Sequence, residues 1–141
     1  MDRKEFLNAV GLSAATITAL SCTGCSKTSM GPGSANNPPK GVDFTLDLSE
    51  KANANLLVNG GFVVSNSIIV ARTNSGEYIA VQQSCTHANY PLTYESNNQQ
   101  FFCNNHGATF TEKGIQTGGP YSQPLKVYNT TLTNTSLRVY S

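Results

Sequence analysis

Short apolar runs separated by turn residues fill the chain after residue 41. Phe44, Leu46 and Leu48 alternate with polar residues, which is typical of a half-buried strand. Asn and Gly residues at 59–61 and 74–76 predict tight turns between paired runs, because glycine tolerates positive φ. The other predicted strand segments are 56–58, 62–64, 67–73, 77–82, 101–102, 125–128 and 136–140. No stretch after residue 30 keeps a helical period over three turns, so the pattern predicts an all-β fold, a small sandwich or barrel.

The first 26 residues have a different pattern, which predicts an export signal. Arg3-Lys4 precedes Phe6-Leu7 and a weakly apolar stretch at 9–20, an arrangement similar to a twin-arginine signal with lysine in the second place. That export route accepts folded cargo. Ser and Thr dilute the apolar stretch, which is shorter than the roughly 20 residues of a membrane-spanning helix. We therefore expect a signal peptide rather than a retained transmembrane anchor.

Two cysteines at the end of this signal are candidates for lipidation. Residues 19–22, Ala-Leu-Ser-Cys, resemble a bacterial lipobox, in which Cys22 would become the lipidated N-terminus. Cys25 is the second candidate, and Cys22 is preferred because Leu20 lies two positions before it. The alternatives are a C-x-x-C redox or zinc pair, which needs a folded context that does not follow here, or incidental cysteines in a discarded peptide.

A linker follows the signal and completes the domain organisation. Residues 27–41 are rich in Gly, Pro, Ser and Asn, a composition that cannot bury a core and predicts a flexible tether. The chain is thus divided into an export signal at 1–26, the linker at 27–41 and one domain at 42–141. We expect a lipoprotein of the bacterial cell envelope that faces the periplasm, held to the membrane by its lipid.

Composition and charge exclude one class of partner. The chain has 141 residues, as expected for one domain, and only 12% are charged, against about a quarter in typical proteins. Its formal net charge is +1, and the Lys and Arg residues form no run or stripe. Nucleic-acid binding therefore has no support.

All candidate metal ligands after residue 25 fall in two short pairs. Cys85-Thr86-His87 has C-x-H spacing, and Cys103 and His106 have C-x-x-H spacing. Two thiolates and two imidazoles suit either a tetrahedral zinc ion or a 2Fe–2S cluster. A cluster needs two ligands on each iron, so both cysteines would hold one iron and both histidines the other. The one-residue gap at 85–87 is tight for a single zinc and favours two metals.

The segments around these pairs resemble a Rieske iron–sulfur domain. They are a C-T-H box at 85–87, a C-x-x-H-G box at 103–107 with Phe110 beyond it, and a Gly-Gly-Pro element at 118–120 before Leu125. The resemblance extends over roughly residues 42–141. It implies one 2Fe–2S cluster per chain, a cluster-binding subdomain formed by the loops of residues 84–122, and a covering loop made by Gly118, Gly119 and Pro120.

The chain departs from the respiratory Rieske subunits that it resembles. Their disulfide cysteines are replaced here, within residues 87–90 and at Asn105. Their serine and tyrosine hydroxyls, which hydrogen-bond the cluster sulfurs, are replaced by Ala108 and Phe110. Hydrogen bonds to the sulfurs stabilise the reduced cluster. We therefore expect a reduction potential in the lower part of the roughly −150 to +300 mV Rieske range.

Residues near the two boxes have expected structural roles. We expect both histidines to lie toward solvent, Gly107 to let backbone pass close to the metal, and Pro91 and Leu92 to pack beneath the cluster. Tyr90, Tyr94 and Tyr121 are expected in the core or at the rim of the site.

These expectations lead to a one-electron carrier that is exported and tethered by lipid. A redox protein partner is implied, because no further histidine remains for a mononuclear iron site and no flavin or nicotinamide motif occurs. We therefore expect an electron-transfer protein or an oxidoreductase subunit rather than an enzyme that acts by itself. The alternatives are a small Rieske subunit of a larger oxidoreductase complex and, in another class, a zinc-stabilised binding module.

Overall fold

Two antiparallel sheets form the domain. The computed structural model describes residues 38–120 and 123–141. In chain order the strands are β1 (Asp43–Asp47), β2 (Phe62–Ser65), β3 (Ile68–Arg72), β4 (Tyr78–Gln82), β5 (Leu92–Glu95), β6 (Gln100–Cys103), β7 (Thr109–Thr111), β8 (Gln116–Gly118), β9 (Val127–Thr133) and β10 (Ser136–Tyr140). A 3₁₀ helix, Lys51–Leu57, lies between β1 and β2. The predicted all-β fold is confirmed.

The larger sheet has six strands in the order β1-β10-β9-β4-β3-β2. The smaller sheet has four strands in the order β5-β6-β7-β8, so its strands follow one another along the chain. The smaller sheet is inserted between β4 and β9, which pair with each other in the larger sheet. The chain between β4 and β9 thus forms a separate sheet, β5–β8.

Strand β3 separates two apolar cores because both of its faces are buried. Ile69 and Ala71 face one core, whereas Ile68 and Val70 face the other. Such double burial explains why the strand is continuously apolar instead of alternating. The first core contains both cysteines of the candidate site and most of the apolar side chains of the smaller sheet. The metal-ligand candidates are therefore connected directly to the packing of the domain.

The predicted strand at 56–58 is wrong, because these residues end the 3₁₀ helix and lead into the turn at 59–61. Leu56 is fully buried, and its carbonyl accepts a hydrogen bond from the Tyr78 hydroxyl. A Cβ on Gly61 would lie 1.8 Å from the Asn55 carbonyl oxygen, so the Gly-Gly turn packs against the helix. The turn at 59–61 therefore connects a helix to β2, not two strands.

The region at 84–122 is more regular than predicted. It was expected to be a subdomain of loops, but its centre is the four-stranded sheet β5–β8. These strands have only three or four residues each and many Thr and Gln residues, so apolar alternation is too short to identify them. The remaining predicted strand segments all overlap observed strands, and the predicted turn at 74–76 joins β3 to β4.

The expected export signal, the lipidation cysteines Cys22 and Cys25, most of the linker and Tyr121 lie outside the described residues. Within the part of the chain that is described, no helix is long and apolar enough to cross a membrane.

Candidate metal centre

The two Cys/His boxes fold into loops with the same backbone hydrogen bonds. The Cys85 N–H donates to the Tyr90 carbonyl at 2.8 Å, and the Cys103 N–H donates to the Ala108 carbonyl at 2.8 Å. Each loop thus begins at its cysteine and closes five residues later. The first loop joins β4 to β5 and the second joins β6 to β7, and β5 pairs with β6 so that Leu92 lies opposite Cys103. This pairing brings the two loops to the same end of the small sheet.

Both loops also contain one residue with positive φ, four positions after the cysteine. Asn89 has a φ of 65° and Gly107 a φ of 71°. Their N–H groups donate to the carbonyls of Cys85 and Cys103 at 3.2 and 3.0 Å. Asn and Gly are the residues that adopt this conformation at least cost. The positive φ explains why glycine occupies position 107. Space does not require it, since no neighbouring side chain or backbone atom lies within 4 Å of a Cβ built there.

The two thiols lie on the inner side of the site. Cys85 and Cys103 are fully buried, neither forms a disulfide, and both pack in the same core. Burial raises the pKa of the Cys85 thiol, and the neighbouring Cys103 adds to this rise. The backbone N–H groups of His87 and Ala88 point at the Cys85 sulfur and lower its pKa. A metal would compensate for the burial of two thiolates, since coordinated thiols lose their protons outright.

The two imidazoles lie together on the outer side. The ring centroids of His87 and His106 are 4.7 Å apart and the rings are nearly perpendicular, at 85°. His106 is exposed and His87 is partly exposed, as predicted. The Nδ1 atom of His87 is nevertheless buried and has no hydrogen-bond partner. Unpaired buried ring nitrogens are costly, so this atom has the surroundings expected of a metal ligand.

Asn105 is a neighbour of His106 that the sequence identified only as a missing cysteine. Its side-chain nitrogen lies 2.9 Å from Nδ1 and 3.1 Å from Nε2 of the His106 ring. One amide group cannot align well with both ring nitrogens, which leaves one of them for a metal. No sequence signal predicts this contact, because it depends on the rotation of two side chains within the loop.

The four candidate ligands form two pairs instead of one group. Among the described residues, no three His, Cys, Asp or Glu side chains are grouped as ligands of a single metal ion. Zinc requires about four ligands around one centre. A 2Fe–2S cluster requires two ligands on each of two irons, which suits one thiol pair and one imidazole pair. The arrangement therefore fits the cluster better than zinc.

The predicted covering loop lies against the second ligand loop. Gly119 has a φ of 86°, and a Cβ there would be 2.5 Å from the Ala108 Cα. Only glycine permits this approach without displacing backbone. The Gln116 side-chain amide donates to the carbonyls of Gly118 and Pro120 and fixes the turn. Gln116 is a second residue whose role the sequence did not reveal.

Other predicted neighbours divide between core and surface. Leu92 packs in the core that contains both cysteines, whereas Pro91 is exposed and only bridges to Ser84. Tyr90 is 48% exposed, and its ring centroid lies 6.2 Å from that of His106. Tyr94 is buried in the core. Its pKa is raised by burial and by its hydrogen bond to Glu112.

Three hydroxyls near the ligand boxes are bonded to other groups. Thr86 donates to the Gln123 carbonyl at 2.6 Å, and Tyr94 donates to Glu112 at 2.6 Å. The Thr109 hydroxyl is 2.9 Å from that of Thr117. Ala108 and Phe110 are fully buried in the core with the cysteines and have no group to donate. These two side chains thus supply no hydroxyl to the surroundings of the thiols.

Comparison with protein families now decides between the two metals. The Rieske [2Fe-2S] domain family matches residues 43–129. The chain belongs to the Rieske family. Its cofactor is therefore a 2Fe–2S cluster, and its role is that of an iron–sulfur electron carrier. The zinc-stabilised module considered from the sequence is set aside.

Solved Rieske structures have the same fold. The chain is 28% identical to the plasma membrane Rieske protein PetC3 of Synechocystis PCC 6803, with a TM-score of 0.53 over 62% of this chain and 93% of that one. A ferredoxin of Sphingomonas yanoikuyae B1 is 24% identical, with a TM-score of 0.52 over 60% of this chain and 88% of the ferredoxin. The ferredoxin of carbazole 1,9a-dioxygenase from Nocardioides aromaticivorans IC177 is 19% identical, with a TM-score of 0.50 over 59% and 86%. Comparison with curated proteins gives no match.

Proposed function

We propose that the protein is an exported one-electron carrier whose 2Fe–2S cluster is held by Cys85, His87, Cys103 and His106. The two cysteines would hold one iron and the two histidines the other. When bound, the cluster accepts and releases one electron. The observation that supports this assignment most strongly is the buried, unpaired Nδ1 of His87 beside the ring of His106. A polar atom in that position needs a partner, and an iron supplies one.

The positions of the ligands suggest the direction of electron exchange. Both cysteines are fully buried, whereas His106 is exposed at the surface. The histidine-bound iron would therefore lie nearer to solvent than the cysteine-bound iron. Electrons would enter and leave on the side of the domain that bears the two histidines, where a partner can approach the exposed His106 ring.

The ligand assignment is tested by metal and sulfide analysis with EPR of the reduced protein. We expect two irons and two sulfides per chain, and a rhombic EPR signal. His106→Cys should shift that signal toward the form given by an all-thiolate cluster. The matched control is Cys25→Ala, which also removes a thiol, lies outside the proposed ligand set and should leave the signal unaltered. An unchanged spectrum in both His87→Cys and His106→Cys would contradict the assignment.

We further propose that the carrier is a bacterial lipoprotein that faces the periplasm and is anchored at Cys22. The lipobox-like residues 19–22 and the tether-like composition of 27–41 support this. The similar PetC3 protein is described as a plasma membrane Rieske protein, which agrees with a membrane location. Cys22→Ala should abolish incorporation of labelled fatty acid and release the protein from membranes, whereas Cys25→Ala should do neither. The reverse result would move the anchor to Cys25.

The partner is proposed to be a redox protein. The chain has only two histidines, both within the cluster boxes, so another protein must supply or consume the electron. The alternative is that this protein is a small subunit of a larger oxidoreductase. Purification from native membranes separates the two cases. A free carrier is recovered alone, whereas a subunit is recovered with a larger redox protein in constant ratio.

A further inference from the structure

The chain segments that contain the ligand boxes have no charged side chains. No Asp, Glu, Lys or Arg occurs at residues 78–94, 96–111 or 114–125, the segments that contain the two boxes and the covering loop. A quarter of residues are charged in a typical protein, so segments of this length would ordinarily include several. The polar residues in these segments are amides, hydroxyls and the two imidazoles.

The fold places the two ligand loops and the chain after the covering loop at one surface. The exposed side chains of that surface come from both ligand loops and from the chain after the covering loop; they are Asn89, Tyr90, Pro91, Asn104, Asn105, His106 and Gln123. We call these seven residues the imidazole end. Its largest apolar element is the Tyr90 ring, which is 48% exposed beside His106.

The charges of the small sheet lie at its opposite end. Glu95 ends β5, four residues after the first loop, and Glu112 and Lys113 lie in the turn between β7 and β8. The strand register places Glu95 opposite Gln100, whereas Leu92 is opposite Cys103. Lys126 lines a groove of about 430 Å³ with Lys40 and Ser141, and its backbone is hydrogen-bonded to Gln82, three residues before Cys85. Glu95, Glu112 and Lys113 are thus separated from the ligands along the strands, whereas the backbone of Lys126 lies beside the strand that leads into the first loop.

We infer that the imidazole end docks on a redox protein whose own contact surface is uncharged, with amide, hydroxyl and apolar groups around its cofactor. This rests on the proposed function. Charged groups on a partner surface would lose their hydration on docking. Because the imidazole end offers no opposite charge to replace that hydration, docking would cost free energy. Two ferric ions, two sulfides and two thiolates sum to zero, so the oxidised cluster would not supply that charge. An uncharged surface meets no such cost and packs against the Tyr90 ring.

Gold electrodes coated with monolayers of defined chemistry imitate the three kinds of partner surface. Holoprotein would be adsorbed on hydroxyl-, carboxylate- and ammonium-terminated monolayers, and the adsorbed mass would be measured with a quartz crystal microbalance. Voltammetry then gives the electron-transfer rate per adsorbed molecule. We expect this rate to be highest on the hydroxyl surface, by roughly tenfold, and almost independent of ionic strength.

Charge variants test whether the imidazole end is the surface in contact. Asn104→Lys places a cation in the second ligand loop, and it should move the highest rate to the carboxylate surface and make it fall with salt. Asn97→Lys is the matched control, because the turn between β5 and β6 is at the far end of the sheet. It should increase adsorbed mass on carboxylate without increasing the rate per molecule.

Each outcome has a defined meaning. A wild-type protein whose rate is highest on either charged surface overturns the uncharged docking surface while leaving the electron carrier intact. The docking surface is also overturned if Asn97→Lys raises the rate per molecule on carboxylate as much as Asn104→Lys does. The surface in contact would then not be the imidazole end. Holoprotein with an intact EPR signal that exchanges electrons with none of the surfaces contradicts the proposed carrier function and, with it, the docking surface.

Discussion

At the scale of single residues, two buried side chains without hydroxyls set the surroundings of the thiols. Ala108 and Phe110 belong to the same core as Cys85 and Cys103. Thr86, which follows the first cysteine, donates its hydroxyl to a backbone carbonyl. The low potential remains a prediction from the lack of hydroxyls on Ala108 and Phe110, and a redox titration would test it.

Adding a hydroxyl at this position should raise the potential. In Phe110→Tyr the new group would lie in the core with the thiols and could donate to a cluster or cysteine sulfur. A preference of ~1 kcal/mol for the reduced state corresponds to roughly 40 mV for one electron. Phe102→Tyr is the control, because Phe102 points to the other face of β6 from Cys103. Equal potentials in Phe110→Tyr and wild type would contradict the explanation.

Gly119 is the residue that lets the covering loop approach the second ligand loop. Gly119→Ala should displace the loop, since its Cβ would lie 2.5 Å from the Ala108 Cα and the φ of 86° is unfavourable for alanine. We expect faster loss of the cluster's visible absorbance and a stability loss of about 1–3 kcal/mol. Gly41→Ala is a control of similar φ, 60°, with no atom within 4 Å of its Cβ. Cluster loss at wild-type rate in Gly119→Ala would show that the loop is not needed.

The ligand candidates were predictable because they depend only on residue type and spacing. The histidines lie two and three positions after an isolated cysteine, and that pattern holds whatever the rest of the chain does. Asn105 and Gln116 were not predictable as contacts of the site. Their roles depend on side-chain rotation and on a turn formed by a separate strand. Local spacing thus predicts candidate ligands, whereas the groups that support them require the tertiary structure.

At the scale of secondary structure, two kinds of strand were predictable. In one kind apolar and polar residues alternate because one face is buried, and in the other all residues are apolar because both faces are buried. β1 and β3 are examples of the two patterns. The strands β7 and β8 were missed because three residues cannot establish a period. The 3₁₀ helix was mistaken for a strand because Leu56-Leu57-Val58 is apolar and short, a pattern that periodicity alone cannot resolve.

Alanine substitutions in the 3₁₀ helix test this correction. Leu56 is fully buried, so Leu56→Ala should lower the free energy of unfolding by about 2–5 kcal/mol. Leu57 is 55% exposed, so Leu57→Ala should change it by less than about 0.5 kcal/mol. Urea denaturation followed by circular dichroism measures both. Similar losses in the two variants would contradict the position of the helix.

At the scale of the whole molecule, the start of the described chain is fixed to the large sheet. The Tyr128 hydroxyl donates to the Pro39 carbonyl at 2.8 Å, and the Ser141 N–H donates to the Val42 carbonyl at 3.0 Å. These bonds lie at the edge of the second core, which contains no cysteine. A tether at residues 27–41 would therefore be attached to the core that does not contain the thiols.

Tyr128 should make stability fall at alkaline pH. Burial raises its pKa to about 12 from the ordinary 10.0. Its contribution is complete below pH 10, where it is protonated in both states, and is lost as pH rises toward 12 because only the unfolded state deprotonates. The loss approaches about 1.4 kcal/mol per pH unit. Urea midpoints measured between pH 9 and 12 should fall less steeply for Tyr128→Phe than for wild type. Parallel curves would exclude Tyr128 as the cause.

The most direct test of the central claim uses the fact that the chain has only two histidines. Protein purified without a histidine tag and labelled with ¹⁵N-histidine would be reduced and measured by electron-nuclear double resonance. We predict two distinct ¹⁵N couplings to the cluster electron spin, with one lost in His87→Cys and the other in His106→Cys. Absence of ¹⁵N coupling in fully loaded protein, or a preparation with zinc and no inorganic sulfide, would contradict a cluster held by both histidines.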